Sequence, residues 1–264
     1  SIMRALKRWW RRRRAWRAAQ ARLEADYRPV AERLFGGTVT WRMAGGRGRD
    51  VVCQILRAGR PVGYLRMDDP ACAPSAPVAA GLPFVSLPFA EKLEREWQAY
   101  TRGAPSGLTP PPLWRGARGM ISGYCDAQPL VQEAERDGKS HLTLAVEALP
   151  AIARLHAAGL THMDMSLSNI LRDRTSGALL FVDFEYGAAP GLSVEQQSLY
   201  DYLRLLESIW KFLSADERAA AYDVWGAAYK SHAPAAVRAA DLTPLRPALG
   251  RVLAAPELVP LFQP

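Results

Sequence analysis

Cysteine is scarce in this 264-residue chain and forms no pattern. Cys53, Cys72 and Cys125 make no CxxC pair, and their odd number leaves no disulfide framework, so a reducing, cytoplasmic setting is expected. Histidine is also sparse: four are scattered along the chain without clustered ligands, which argues against structural zinc. No apolar run reaches the roughly 18 residues that a membrane-spanning helix needs. The arginine-rich start also lacks the apolar centre of a secretory signal. Acidic residues are missing from positions 1–17, which hold eight basic ones: Arg4, Lys7, Arg8, Arg11, Arg12, Arg13, Arg14 and Arg17. The other 26 basic residues balance the 26 acidic ones, so the net charge of +8 belongs to an N-terminal arm and the body is neutral. With 49% hydrophobic and 23% charged residues, the chain has the composition of a folded globular protein.

The arm reads as an amphipathic helix. Ile2, Trp9, Trp16 and Leu23 recur every seven residues with Leu6 beside them, and arginines cover most of the remaining surface. Such a helix fits an anionic membrane surface bound through residues 1–17, or an apolar stripe packed on the next domain. Nucleic acid fits less well, because the neutral body continues no basic patch.

Residues 38–67 hold three short β-branched or aromatic runs, TVTWRM, VVCQILR and PVGYLRM, separated by glycine-containing turns, which predicts an antiparallel meander. A loop rich in proline and alanine follows over 69–88, then a helix in FAEKLEREWQAYTRG ended by Gly103. LWRGAR and GMISGYC read as two more strands, leading to a polar connector over 126–139 and a hinge near 123–130. Beyond residue 130 the pattern is helical. SHLTLAVEALPAIARLHAAG buries Leu142, Val146, Leu149, Ile152 and Leu155 on one face, with Pro150 as a point of kinking, and Ser214 to Glu217 is a capping box. The expected fold class is α+β and two-lobed. The expected divisions are a basic helix (1–30), an N-lobe (31–128) and a helical C-lobe (129–264).

The chemistry-bearing stretch is His162-x-Asp164-x-x-x-x-Asn169, followed by a short strand pair and Asp183-Phe-Glu. Phosphoryl transfer from a nucleotide needs a carboxylate to take or orient the acceptor proton, and oxygen ligands from two points to hold Mg²⁺ against the phosphates. Asp164, Asn169 and Asp183 supply that set.

On these residues the chain resembles the protein-kinase-like superfamily over roughly residues 38–230, which implies a bilobal fold with an antiparallel-sheet N-lobe and a helical C-lobe. The resemblance implies ATP and Mg²⁺ as cofactors. Asp164 would be the catalytic base, Asn169 and Asp183 the metal ligands, and His162 the brace of the loop. Asp201 resembles the helix aspartate that hydrogen-bonds the loop backbone; an N-terminal helix acid is the other reading. Arg66 sits where a phosphate-binding strand lysine would lie, and Glu96 where its helix partner would. Alternatively Arg66 is a solvated strand residue and Lys92 takes the role. Gly45, Gly46 and Gly48 resemble a phosphate-covering loop without matching G-x-G-x-x-G, and an ordinary hairpin turn explains them equally well. Glu185 reads either as a further carboxylate near the metals or as a cap.

Departures from the protein-kinase pattern narrow the substrate. Met163 stands where many protein kinases have an arginine, and Ser166 where they have a lysine that neutralises the γ-phosphate. Only 17 residues separate Asp183 from Asp201, too few for a peptide-binding segment. The stretches HAAGLTHMDMSLSNIL, LLFVDFE and YLRLLESIWKF resemble the lipopolysaccharide kinases that phosphorylate Kdo or heptose. That implies a lipid-linked saccharide acceptor and a peripheral position at the inner membrane. VDFEYG also resembles choline and aminoglycoside phosphotransferases, and Arg66 with Ser166 is compatible with a pseudokinase that serves as a binding module.

Overall fold

The computed structural model describes residues 2–47 and 49–263. In chain order, α1 (Ile2–Arg22) passes through a π-helical stretch (Leu23–Tyr27) into α2 (Arg28–Phe35). Strands β1 (Val39–Arg47), β2 (Asp50–Arg57), β3 (Arg60–Asp68) and β4 (Phe84–Ser86) precede α3 (Phe89–Gly103). Then come β5 (Pro112–Arg115), β6 (Gly119–Gly123), β7 (Ala127–Pro129), α4 (Leu130–Asp137), α5 (His141–Ala157), β8 (Ile170–Asp173), β9 (Leu179–Phe181) and β10 (Tyr186–Ala188). Two long helices follow, α6 (Val194–Trp210) and α7 (Ala215–His232), before short helical turns.

The chain divides into two compact units, Ser1–Ala76 with Pro111–Cys125, and Pro77–Pro110 with Asp126–Pro264. The boundary at 125/126 falls inside the expected stretch 123–130. The expected N-lobe of residues 31–128 is itself divided, because Pro77–Pro110 groups with the helical part. Bonds inside the second unit account for this. β4 pairs with β10, the Phe181 amide donates to the Leu108 carbonyl, and Arg95 donates to the Thr161 and His162 carbonyls.

The first unit is an antiparallel sheet in the order β1-β2-β3-β6-β5. Its core holds Val39, Cys53, Ile55, Leu65, Met67 and Ile121, together with Ala19, Leu23, Tyr27 and Ala31 from the helical arm. Trp16 packs against this cluster, whereas Met3, Leu6, Trp9 and Trp10 are 67%, 47%, 50% and 61% exposed. The seven-residue stripe therefore changes partner along its length. From Trp16 onward it meets the sheet, whereas Leu6 and Trp9 face solvent.

Gly45 and Gly46 are not a loop. They extend β1 opposite Val52 and Val51 after a bulge at Met43/Gly45, in a hairpin that brings Arg47 opposite Asp50. Gly48 lies outside the described residues. β3 is central, flanked by β2 and β6, and it closes on β6 at Gly63. A Cβ added there would meet the Ser122 carbonyl oxygen at 2.7 Å and Phe35 at 2.8 Å, so only glycine fits.

The second unit is built on α5, α6 and α7, with the small sheet β7-β8-β9 at one side. α5 begins at Ser140, whose side chain accepts from the Thr143 amide, and runs through Pro150. α6 and α7 both open with complete capping boxes, Ser193 with Gln196 and Ser214 with Glu217. The connector over 126–139 is more ordered than its polar composition implies. It holds β7 and α4, and Glu133 of α4 is buried against Arg172 at 3.0 Å and Lys139 at 2.6 Å. The fold class is α+β, as expected.

Candidate active site

The loop between α5 and β8 carries His162, Asp164 and Asn169, and α6 fixes its backbone. Asp201, fully buried on α6, accepts from the Met163 amide through Oδ1 at 2.9 Å and from the His162 amide through Oδ2 at 2.9 Å. His156 Nε2, on α5, donates to the same Oδ2 at 2.8 Å. Burial alone would raise the Asp201 pKa. The bond to and charge of His156, with further help from His162, outweigh it and hold the carboxyl below its usual range. Arg95 of α3 clamps the loop from another direction, donating to the carbonyls of Thr161 at 2.8 Å and His162 at 3.0 Å.

These clamps hold Met163 at φ +69°, a left-handed conformation that a side-chain-bearing residue adopts at a cost. The tight turn brings His162 back over the loop. Its ring is buried, tilted against Phe184 at 4.6 Å between centroids, with Nε2 2.8 Å from the Val182 carbonyl. Nδ1 accepts from the Asp164 amide at 3.2 Å, so the tautomer with its proton on Nε2 satisfies both contacts. His162 thus ties Val182, the residue before Asp183, to the backbone of Asp164.

Register brings the remaining groups together. Ile170 pairs with Phe181 across β8 and β9, and the Val182 amide donates to the Asn169 carbonyl at 3.1 Å, so Asn169 lies beside the chain that leads into Asp183. Asp183 adopts φ +68°, the second such residue of this loop pair. Asn169 Nδ2 donates to the Asp164 carbonyl at 2.9 Å and lies 3.4 Å from Asp164 Oδ2. With the amide nitrogen engaged there, the amide oxygen is the group left for a cation. Burial raises the Asp164 pKa and the Asp183 charge adds to the rise, while Arg204, His162 and the Asn169 hydrogen bond oppose it. Two carboxylates that repel each other beside an amide oxygen form a hard-oxygen set of the type that suits Mg²⁺, which keeps several waters. No group of three or more His, Cys, Asp or Glu residues able to hold a metal ion occurs among the described residues.

Arg66 and Glu96 belong to different units, and each is placed by its own surroundings. Arg66 pairs with Val52 and Met120 in the sheet, and its Nε lies 3.3 Å from Asp50 Oδ1, with both side chains at most 10% exposed. Arg66 is therefore not a solvated strand residue. Asp50 is its diagonal cross-strand neighbour, two residues from Val52 on the same face. Glu96 is buried on α3. Lys92, one turn earlier, lies 3.9 Å from Glu185, two residues beyond Asp183.

Sequence reasoning missed Asp50, Arg95, His156 and Arg204. Arg204 Nη2 lies 3.5 Å from Asp164 Oδ1. Its signal was available: it stands three residues after Asp201, and residues 160–171 contain neither lysine nor arginine.

No protein-family model matches the chain, and no curated protein matches it. Among solved structures, two crystal structures of the PknI kinase domain of Mycobacterium tuberculosis, a single and a double mutant, are similar. Each is 17% identical with a TM-score of 0.40, covering 65% of this chain and 74% of that one. No helix among the described residues is long and apolar enough to cross a membrane.

Proposed function

We propose that this chain is a phosphotransferase that moves the γ-phosphate of ATP to a hydroxyl of a lipid-linked sugar, of the kind present as Kdo or heptose in a lipopolysaccharide core. The observation that carries the reading is the anchored loop: Asp164, half-buried, with Asn169 and Asp183 beside it and His162, Asp201 and Arg95 fixing the backbone that presents it. In the reaction, the acceptor hydroxyl gives its proton to the Asp164 carboxylate as its oxygen bonds to the γ-phosphorus. The bond from that phosphorus to the β,γ-bridging oxygen breaks, and ADP leaves with the electron pair.

Burial makes Asp164 a stronger base than an exposed carboxylate, which suits proton acceptance. Asn169 and Asp183 would hold Mg²⁺, which when bound draws charge from the phosphate oxygens.

The lipid-linked acceptor is supported by the front of α1. There Met3, Leu6, Trp9 and Trp10 are exposed among Lys7 and Arg11 to Arg14, which are exposed as well. An apolar edge inside a cationic helix complements an anionic bilayer surface, each cation adding about 1 kcal/mol before screening.

The test is Mg²⁺-dependent phosphate incorporation into lipopolysaccharide core acceptor presented in anionic vesicles, read by a mass gain of one phosphate. Asp164→Ala is expected to lower the rate by about 10²- to 10⁴-fold with the fold retained. Unchanged transfer refutes the mechanism. Transfer to a free amino alcohol in preference to the lipid-linked sugar refutes the acceptor class, and nucleotide binding without transfer to either acceptor refutes the enzyme.

A further inference from the structure

The catalytic loop has a positional anomaly for a phosphoryl-transfer site. Charge builds on the oxygens of the phosphoryl group in flight, and a cation beside the base lowers that cost. Residues 160–171 supply none: Ser166 is neutral and His162 is buried and committed to Val182 and Asp164. A guanidinium nevertheless stands at the base. Arg204 Nη2 lies 3.5 Å from Asp164 Oδ1, while Asn169 lies on the side of Oδ2, so the two carboxylate oxygens face different partners. Arg204 keeps 27% of its side chain exposed and Asp164 keeps 26%. The pair thus sits at an accessible surface, where further donors of the guanidinium fork can reach another anion.

Its position is fixed by the helix that anchors the loop. Asp201 and Arg204 are three residues apart on α6, hence on one face, and Asp201 is bonded to the His162 and Met163 amides. The bonds that seat the loop on α6 therefore also set Arg204 beside Asp164.

Resting on the phosphotransferase reading, we propose that Arg204 is the γ-phosphate-neutralising cation of this site, delivered from α6 in place of a cation on the catalytic loop. It contacts the terminal phosphate of the nucleotide as well as Asp164. When the γ-phosphorus bonds to the acceptor oxygen and its bond to the bridging oxygen of ADP breaks, Arg204 stays with the transferred group.

The deciding measurement is binding, independent of turnover. Calorimetric titration of the full chain with ATP and with ADP, each in excess Mg²⁺, is carried out for the unaltered protein, Arg204→Ala and Arg204→Lys, with thermal melting as the check on folding. Only ATP presents a γ-phosphate. Arg204→Ala is expected to weaken ATP about ten- to a hundredfold more than ADP, the effect of one lost charge-assisted contact. Arg204→Lys is expected to recover most of that difference. Equal weakening of both nucleotides, or no weakening, overturns the assignment and leaves Arg204 as a partner of Asp164 alone, with the phosphotransferase reading intact. Failure of the unaltered protein to bind either nucleotide overturns that reading and this inference together.

Discussion

Replacing Asp201 with asparagine removes the carboxylate that holds the loop carrying His162 and Asp164, and the geometry fixes how much is lost. Asp201 accepts three hydrogen bonds at 2.8–2.9 Å, two from backbone amides and one from His156. An asparagine in the same rotamer keeps one acceptor oxygen and turns an NH₂ toward the other donors, so at least one amide is left facing a donor. Hydrogen bonds to a charged acceptor contribute about 1.5–3 kcal/mol each, and the relieved desolvation of the carboxylate offsets part of the loss. The expected cost at neutral pH is about 3–5 kcal/mol, a large share of a domain's usual 5–15 kcal/mol. Urea unfolding followed by tryptophan fluorescence would show it as a midpoint lowered by about 2 M at a slope of about 2 kcal/mol per M. Amide exchange should accelerate at whichever of His162 and Met163 is left facing the new NH₂. The pH dependence has a definite sign. The folded pKa of Asp201 is depressed, so its stabilisation is complete above the unfolded value of about 3.9 and is lost as pH falls through the folded value. The gap between the two proteins should narrow below about pH 4. A loss under about 1 kcal/mol with both amides still protected would refute the reasoning.

Three further perturbations test the first unit. Leu23→Ala should cost about 2–5 kcal/mol in urea unfolding, because Leu23 is fully buried in the sheet core. Trp9→Ala with Trp10→Ala should move stability by no more than about 0.5 kcal/mol while reducing sedimentation with anionic vesicles. Vesicle binding unchanged by the tryptophan pair would remove the support that α1 gives to a lipid-linked acceptor. Gly63→Ala should destabilise by about 1–3 kcal/mol, since the new methyl meets the backbone of Ser122 as well as the Phe35 ring. A neutral result there would mean that β3 and β6 separate more easily than their pairing implies.

Much of the site could be read in advance because its chemistry is contiguous. His162, Asp164 and Asn169 share one loop, and Asp183 follows across a single strand pair whose register is set by apolar residues, so no distant contact had to be inferred. The capping box at Ser214 was legible for the same reason. What escaped depended on tertiary placement. The seven-residue stripe of α1 is continuous in sequence, but the sheet covers it only from Trp16 onward, and periodicity does not report where a partner surface ends. β4, β7 and β10 have three residues each, too few to display an alternation. Asp50 becomes the neighbour of Arg66 only once β2 and β3 are in register, and the glycines of the first hairpin look like a loop until their pairing to Val51 and Val52 is seen.

Arg204 belongs to the same class, and the reason it lies where it does can be traced to the start of its helix. α6 opens on a complete capping box at Ser193, which fixes the first turn and therefore the phase of every later residue. Three residues of α-helix advance about 4.5 Å and leave side chains about 60° apart around the axis, so Asp201 and Arg204 move together under any rotation of α6. Only one phase places Asp201 under the His162 and Met163 amides, and it places Arg204 beside Asp164. A one-residue slip would turn the helix by about 100° and remove both contacts at once. Buried Asp201 has no acceptable alternative partner in water-free surroundings, so it locks the phase, and the partly exposed Arg204 inherits a position that its own weaker contact could not enforce. Asp201 and Arg204 are thus one device: the contacts that seat the loop also set the guanidinium beside Asp164.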